Sequence, residues 1–172
     1  MKSLELKDNR LTNPVPEAIF LATKTFFTEQ PVKMTEENMD FWQDHSRNYL
    51  EMALRSDHNE EIRNPDGYGK RTGDCNDTIE MYLLLDGDQI KHVAFTTDGC
   101  LNTNACANTV AHLVEGRPVE KAWEVTPEQV AEFLETLPED HFHCAELAVG
   151  ALYLALAGCR DKLKSPWKQL YR

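Results

Sequence analysis

The feature that most narrows the fold is a β-hairpin written into residues 78–97. Ile79, Met81, Leu83 and Leu85 alternate with Glu80 and Tyr82, Asp86-Gly87-Asp88 supplies a turn, and Ile90 to Thr97 supplies the return strand. A half-buried antiparallel ribbon of this kind needs a cover for its apolar face, and apolar helical segments follow it in the chain. One runs from about Thr103 to Glu115, with Gly116 as its stop and Pro118 beyond. A second opens at Thr126-Pro127, a cap followed by proline at the first helical position. The last starts near Asp140 and runs to about Cys159, burying Leu147, Ala151, Leu154 and Ala155. The expected fold class is α+β, a small antiparallel sheet (the hairpin plus one further strand) packed against C-terminal helices.

The residues ahead of the hairpin read as a helical N-terminal extension over 1–62. Pro16-Glu17 opens one helix through Ala18, Phe20, Leu21 and Phe26. Thr35 caps a second, with Glu36 and Glu37 in its first turn. Met39, Trp42, Tyr49, Leu50, Ala53 and Leu54 continue it at roughly helical spacing, while Phe41 falls on the other side. Asn64-Pro65-Asp66-Gly67-Tyr68-Gly69 reads as loop. The expected organisation is therefore an extension over 1–62, a domain over 63–160 and a basic tail over 161–172. From Arg160 onward five basic residues meet a single Asp, a charge of +4 on a body of −15. Two readings stay open for this tail: a solvated helix end, or a docking segment for an acidic partner anchored by Trp167.

Charge and cysteine content narrow the function. Eighteen Lys and Arg stand against 29 Asp and Glu, so nucleic acid and anionic membranes are disfavoured partners. The start, Met1-Lys2-Ser3-Leu4, lacks an apolar segment of the secretory kind, and the apolar run Leu147–Cys159 is too short to cross a bilayer. Five cysteines, an odd number in a chain large enough to fold unaided, point to a reducing cytoplasm and free thiols.

Three of those cysteines sit at element boundaries: Cys75-Asn76-Asp77, Gly99-Cys100 and His143-Cys144. Antiparallel partners have a constant sum of positions, 175 for a turn at Gly87-Asp88 and 173 for one at Asp86-Gly87. Either sum puts Cys75 and Cys100 on one face, the first directly opposite each other, provided no bulge intervenes. Asp77 shares that face by the period of two. His143 and Cys144 fall in the first turn of the last helix, where the helix N-terminus is expected to lower the Cys144 pKa. Three thiolates, an imidazole and a carboxylate suit zinc or an iron–sulfur cluster, although the spacing is not that of a zinc ribbon. The plain alternative is three small buried hydrophobes. Adjacency argues against His143 as the base of a cysteine-protease pair.

Taken together, Cys75-Asn76-Asp77-Thr78-Ile79-Glu80-Met81-Tyr82-Leu83, Phe95-Thr96-Thr97-Asp98-Gly99-Cys100 and His143-Cys144-Ala145-Glu146-Leu147-Ala148 resemble the IscU/NifU N-terminal scaffold family of iron–sulfur cluster assembly. The resemblance covers about Asp66 to Cys159. It implies that Cys75, Asp77, Cys100, His143 and Cys144 hold the cluster, [2Fe–2S] or [4Fe–4S], with zinc able to take its place. It implies a scaffold rather than an enzyme, with a cysteine desulfurase as sulfur donor and apo iron–sulfur proteins as recipients. A ferredoxin and a second copy of the chain are further partners compatible with it. The rival within the superfamily is a zinc-dependent sulfur acceptor, a sulfurtransferase that also works with a cysteine desulfurase. That branch carries an insertion between its second and third cysteines, and here 43 residues separate Cys100 from Cys144, as in the scaffold branch.

Three departures stand out. Asn76 replaces the family's usual Gly, a substitution that suits a positive φ better than most. Leu137-Pro138-Glu139-Asp140-His141 replaces the chaperone-docking motif, and its two acids argue against a dedicated Hsp70-type chaperone. The N-terminal zone is longer than in compact members. Of the remaining candidates, His141 reads as a surface histidine or a further ligand, and Cys106 as core or a fourth thiol. Cys159 reads as too distant to share the site. His92 and His112 read as structural, and His45 and His58 show no metal-ligand spacing.

Overall fold

A computed structural model describes residues 42–164. Within them the order is α1 (Arg47–Leu54), β1 (Gly67–Thr72), β2 (Thr78–Asp86), β3 (Gln89–Thr97), α2 (Leu101–Val114), α3 (Val119–Ala122), α4 (Pro127–Leu134), a 3-10 turn (Glu139–His141) and α5 (Phe142–Lys164). The expectations resting on Pro16 to Phe41 and on Trp167 lie outside the described residues. The α+β class holds: the strands form one antiparallel sheet in the order β1-β2-β3, with helices packed on one face.

The hairpin turns at Gly87-Asp88, with Asp86 paired to Gln89 and Gly87 at φ 64°. Ile79, Met81 and Leu83 on β2 pair with Thr97, Phe95 and Val93, and all but Thr97 are fully buried toward the helices. The opposite face is polar and aromatic. There Tyr68 and Lys70 of β1 both bond the Glu80 carboxylate, at 2.8 and 2.7 Å.

β1 is the further strand, but its first half, Gly67 to Gly69, occupies residues that read as loop. The glycines misled, because their role here is close approach rather than turning. A Cβ on Gly67 would lie 2.4 Å from the Ala155 carbonyl oxygen, and one on Gly69 would lie 2.2 Å from that of Ala151. Two absent side chains thus let β1 lie directly on α5. The helix itself is longer than the apolar run suggested. The stretch Glu139–Arg160, which takes in the 3-10 turn and most of α5, has the length and hydropathy of a membrane span. In this fold Leu147, Ala148, Ala151, Leu152, Ala155 and Leu156 spend that apolar surface on the protein core.

The helix expected to continue through Trp42 and Tyr49 is interrupted at His45-Ser46. Ser46 caps α1, its hydroxyl accepting from the Tyr49 N–H and donating to the Leu134 carbonyl. Tyr49, Met52 and Ala53 then join the main core. The C-terminal carbonyls of α1 are taken by α2, with Asn104 donating to Ala53 and Asn108 to Met52 and Arg55. The Thr126 cap is present as a full capping box with Gln129. α2 stops at Glu115 and Gly116, the glycine at φ 79°.

Candidate functional site

The hairpin arithmetic meets a bulge between Leu84 and Leu85. Near the turn the positions of partners sum to 175, but from Leu84–His92 outward they sum to 176. Cys75 and Cys100 are therefore not opposed strand residues, and the expected register is corrected. β2 begins only at Thr78, so Cys75 lies on the turn before it, closed by Asn76 N–H to Gly73 O and Gly73 N–H to Asp77 O. Asn76 does adopt φ 65°. Cys100 is the N-cap of α2. A loop and a helix cap, rather than a strand ladder, bring the two cysteines near Asp77.

Thr103 joins these parts. Its buried hydroxyl donates to Asp77 Oδ2 at 2.8 Å, and the same oxygen lies 3.5 Å from Cys100 Sγ and 3.4 Å from Cys144 Sγ. Asp77 Oδ2 also accepts from the Cys100 backbone N–H at 3.3 Å. Gly99 leaves the room required, since a Cβ there would come within 2.7 Å of both Asp77 Oδ2 and Thr103. Neither Thr103 nor Gly99 stands out in a search for metal ligands. The available signal was the Cys100-x-x-Thr103 spacing, which returns a side chain to the capping end of a helix.

His143 completes the group. Its Nδ1 lies 2.9 Å from the Asp140 carbonyl, a contact that needs Nδ1–H as donor and turns Nε2 toward Cys144. That nitrogen is 3.6 Å from Cys144 Sγ, a closer approach than adjacency suggested. His141 stacks beside His143 with ring centres 5.8 Å apart, while its Nδ1 faces the Asp140 carboxylate. Cys106 is fully buried in α2, and Cys159 is buried at the far end of α5.

The protonation chemistry differs among the sulfurs. Burial, the largest influence, pushes the Cys144 thiol up to about 11, against a smaller downward pull from Thr103. The expected lowering by the helix N-terminus is thus reversed, because Cys144 faces inward and is fully buried. Burial also acts upward on Cys100. There the Thr103 hydroxyl and the N–H groups of Thr103 and Asn102 together outweigh it, and the thiol falls below its ordinary value. Asp77 is held low by the Thr103 hydroxyl first, then by the Cys100 N–H, the Cys75 thiol and nearby His143, against burial. Burial raises the Cys106 thiol far above the usual range. Cys75 and Cys100 are exposed, so the group is open on one side and closed by Cys144 on the other.

The chain is similar to known proteins. The family model described as the NifU-like N terminal domain matches residues 57–165. The iron-sulfur cluster assembly scaffold protein IscU 1 of Archaeoglobus fulgidus is 31% identical over 96 residues, covering 52% of this chain and 63% of its own length. The iron-sulfur cluster assembly scaffold protein IscU of Haemophilus influenzae is 32% identical over 89 residues, 51% of this chain and 70% of its own. Among solved structures, a putative iron-sulfur cluster assembly scaffold protein for the SUF system from Fervidobacterium islandicum superposes with a TM-score of 0.57 at 19% identity. It covers 66% of this chain and 97% of its own. A nitrogen-fixing NifU-like protein (N-terminal) from Brucella abortus gives 0.57 at 14%, over 68% and 94%. These two speak to the fold.

Proposed function

Because the chain belongs to the family of NifU-like N-terminal domains, we propose that it is a scaffold on which an iron–sulfur cluster is assembled and from which it is released. Iron and sulfur from a cysteine desulfurase are the inputs, and apo iron–sulfur proteins are the recipients. Cys75, Cys100 and Cys144 supply thiolates, and Asp77 and His143 supply the harder donors. The observation that carries this reading is the Thr103 hydroxyl, which lies within 3.5 Å of Asp77 and of the sulfurs of Cys100 and Cys144. Carboxylate and thiol donors from three separate segments of the chain thus meet at one hydroxyl.

The donor set suits a cargo rather than a resident carrier. A permanent electron-transfer cluster favours four thiolates. Carboxylate or imidazole in the fourth position is a poorer match to a soft cluster and lets it leave. Two exposed sulfurs give a partner access, while buried Cys144 anchors the inner side. Free thiols at all five cysteines fit a reducing compartment such as the cytoplasm.

The test is anaerobic purification followed by visible absorption and metal analysis, before and after supplying iron, cysteine and a desulfurase. Sulfide-dependent colour that moves to an apo-ferredoxin supports the scaffold. Tightly held zinc with persulfide on the chain and no cluster overturns it in favour of a sulfurtransferase.

A further inference from the structure

A second group of metal-ligating side chains lies at the other end of α2 from the cysteine site. α2 has 14 residues, so its ends are about 20 Å apart. At the C-terminal end three segments distant in sequence converge. The strip after α1 runs beside β3 and brings His58, with Phe95 N–H donating to the His58 carbonyl at 2.8 Å. β3 brings His92, and the C-cap of α2 brings Glu115. One donor atom from each of His58, His92 and Glu115 lies within 4.8 Å of the other two. The rings stack with centres 5.7 Å apart.

We propose that His58, His92 and Glu115 form a binding site for a divalent first-row transition metal, separate from the cysteine site. The His58 ring is buried, and its Nδ1 sits 2.7 Å from the Val93 carbonyl. The same Nδ1 faces Glu115, 3.6 Å from its Oε2, while Nε2 lies 3.9 Å from Asp57 Oδ2, so ligation through Nδ1 would exchange the Val93 carbonyl for the ion. The carboxylates around the two rings are compatible with a bound cation. Asp57 nearby is satisfied by two bonds from Arg55, at 2.6 and 2.8 Å. Glu115 and Glu60, the latter 3.1 Å from His92 Nε2, then leave two negative charges around two imidazoles. They stand at the negative end of α2, where positive charge is favoured. Two imidazoles with carboxylate oxygen select zinc, iron, cobalt or nickel over calcium and magnesium. Such an ion would tie together the strip after α1, the sheet and α2.

Cobalt(II) is a suitable probe, because thiolate ligation gives intense charge-transfer absorption that nitrogen and oxygen ligands lack. The metal-free full chain is titrated anaerobically with Co²⁺, following visible absorption, bound metal and melting temperature. The expected result is one equivalent bound without the thiolate band, with a rise in melting temperature. His92→Asn and the exposed-site variant Glu115→Gln each weaken that equivalent at least about tenfold and leave any thiolate-linked binding unchanged. Circular dichroism of both metal-free variants verifies the fold, and Glu115→Gln alone decides the matter if His92→Asn is misfolded. Uptake confined to the thiolate-linked signal overturns the proposal. So does an equivalent without the thiolate band that survives Glu115→Gln undiminished.

Discussion

Thr103 Oγ donates to Asp77 Oδ2 across 2.8 Å, and so couples the N-terminal turn of α2 to the loop that carries Cys75. The bond joins residues 26 positions apart and holds the carboxylate in its ionised form. Because the same hydroxyl faces two cysteine sulfurs, its removal is felt at three donors together.

The free thiols should alkylate in a fixed order. Cys100, exposed and with a lowered pKa, reacts well before Cys144, which is buried and raised to about 11. Peptide mass spectrometry of metal-free protein over a pH series reads the order. Thr103→Val should move the Cys100 midpoint upward and cost about 1 kcal/mol of stability. An unmoved midpoint in the folded variant refutes the role given to the hydroxyl.

Asp77→Ala is expected to retain its cluster more firmly. Removing the hard oxygen donor leaves a site richer in soft ligands, so transfer to an apo-ferredoxin should slow by about tenfold. Stopped-flow absorption of the reconstituted variant measures this. Transfer as fast as the parent's removes Asp77 from the release step.

Gly69→Ala should destabilise far more than Gly87→Ala. The first drives a methyl group to 2.2 Å from the Ala151 carbonyl oxygen, in backbone that cannot step aside, at a cost of about 3 kcal/mol or loss of folding. The second meets nothing within 4 Å and suffers only the left-handed φ of 64°, about 1–2 kcal/mol. Urea denaturation of both variants tests the ranking, and equal midpoints would contradict the packing of β1 on α5.

Alkali should weaken the outer face of the sheet within a defined window. The Glu80 carboxylate accepting from Tyr68, with a smaller effect of burial, pushes the phenol up to about 12 from its ordinary 10. A folded pKa above the unfolded one means the contribution is complete below pH 10 and is lost as pH rises toward 12. Tyr68→Phe should therefore show a flatter stability curve than the parent between those values. Parallel curves would mean that this hydrogen bond carries no pH-dependent stability.

Much of the fold was legible because its signals are local. The hairpin turn, the Thr126 cap with Pro127, the stop at Gly116 and the positive φ at Asn76 each depend on a few neighbouring residues. The five-residue candidate set was legible by its likeness to a family. The bulge at Leu84 was not, since nothing in the apolar alternation marks where one extra residue enters the ladder. β1 was misread because a glycine that permits contact and one that permits a turn are written alike. The break at Ser46 escaped for a related reason: its cap is completed by Leu134, 88 positions away.

The chain by itself determined which donors are available and where its elements start and stop, because caps, turns and periodicity act over a turn of helix or a pair of strands. Tertiary structure decided how each donor behaves. Cys144 became the buried, weakly acidic thiol because its helix faces it inward, and Cys100 the exposed, acidic one because it caps α2 at the surface. His58, His92 and Glu115 are unremarkable along the sequence and neighbours only when the strip after α1, β3 and α2 are assembled. Burial and electrostatic surroundings depend on what lies across space, and no local pattern encodes that.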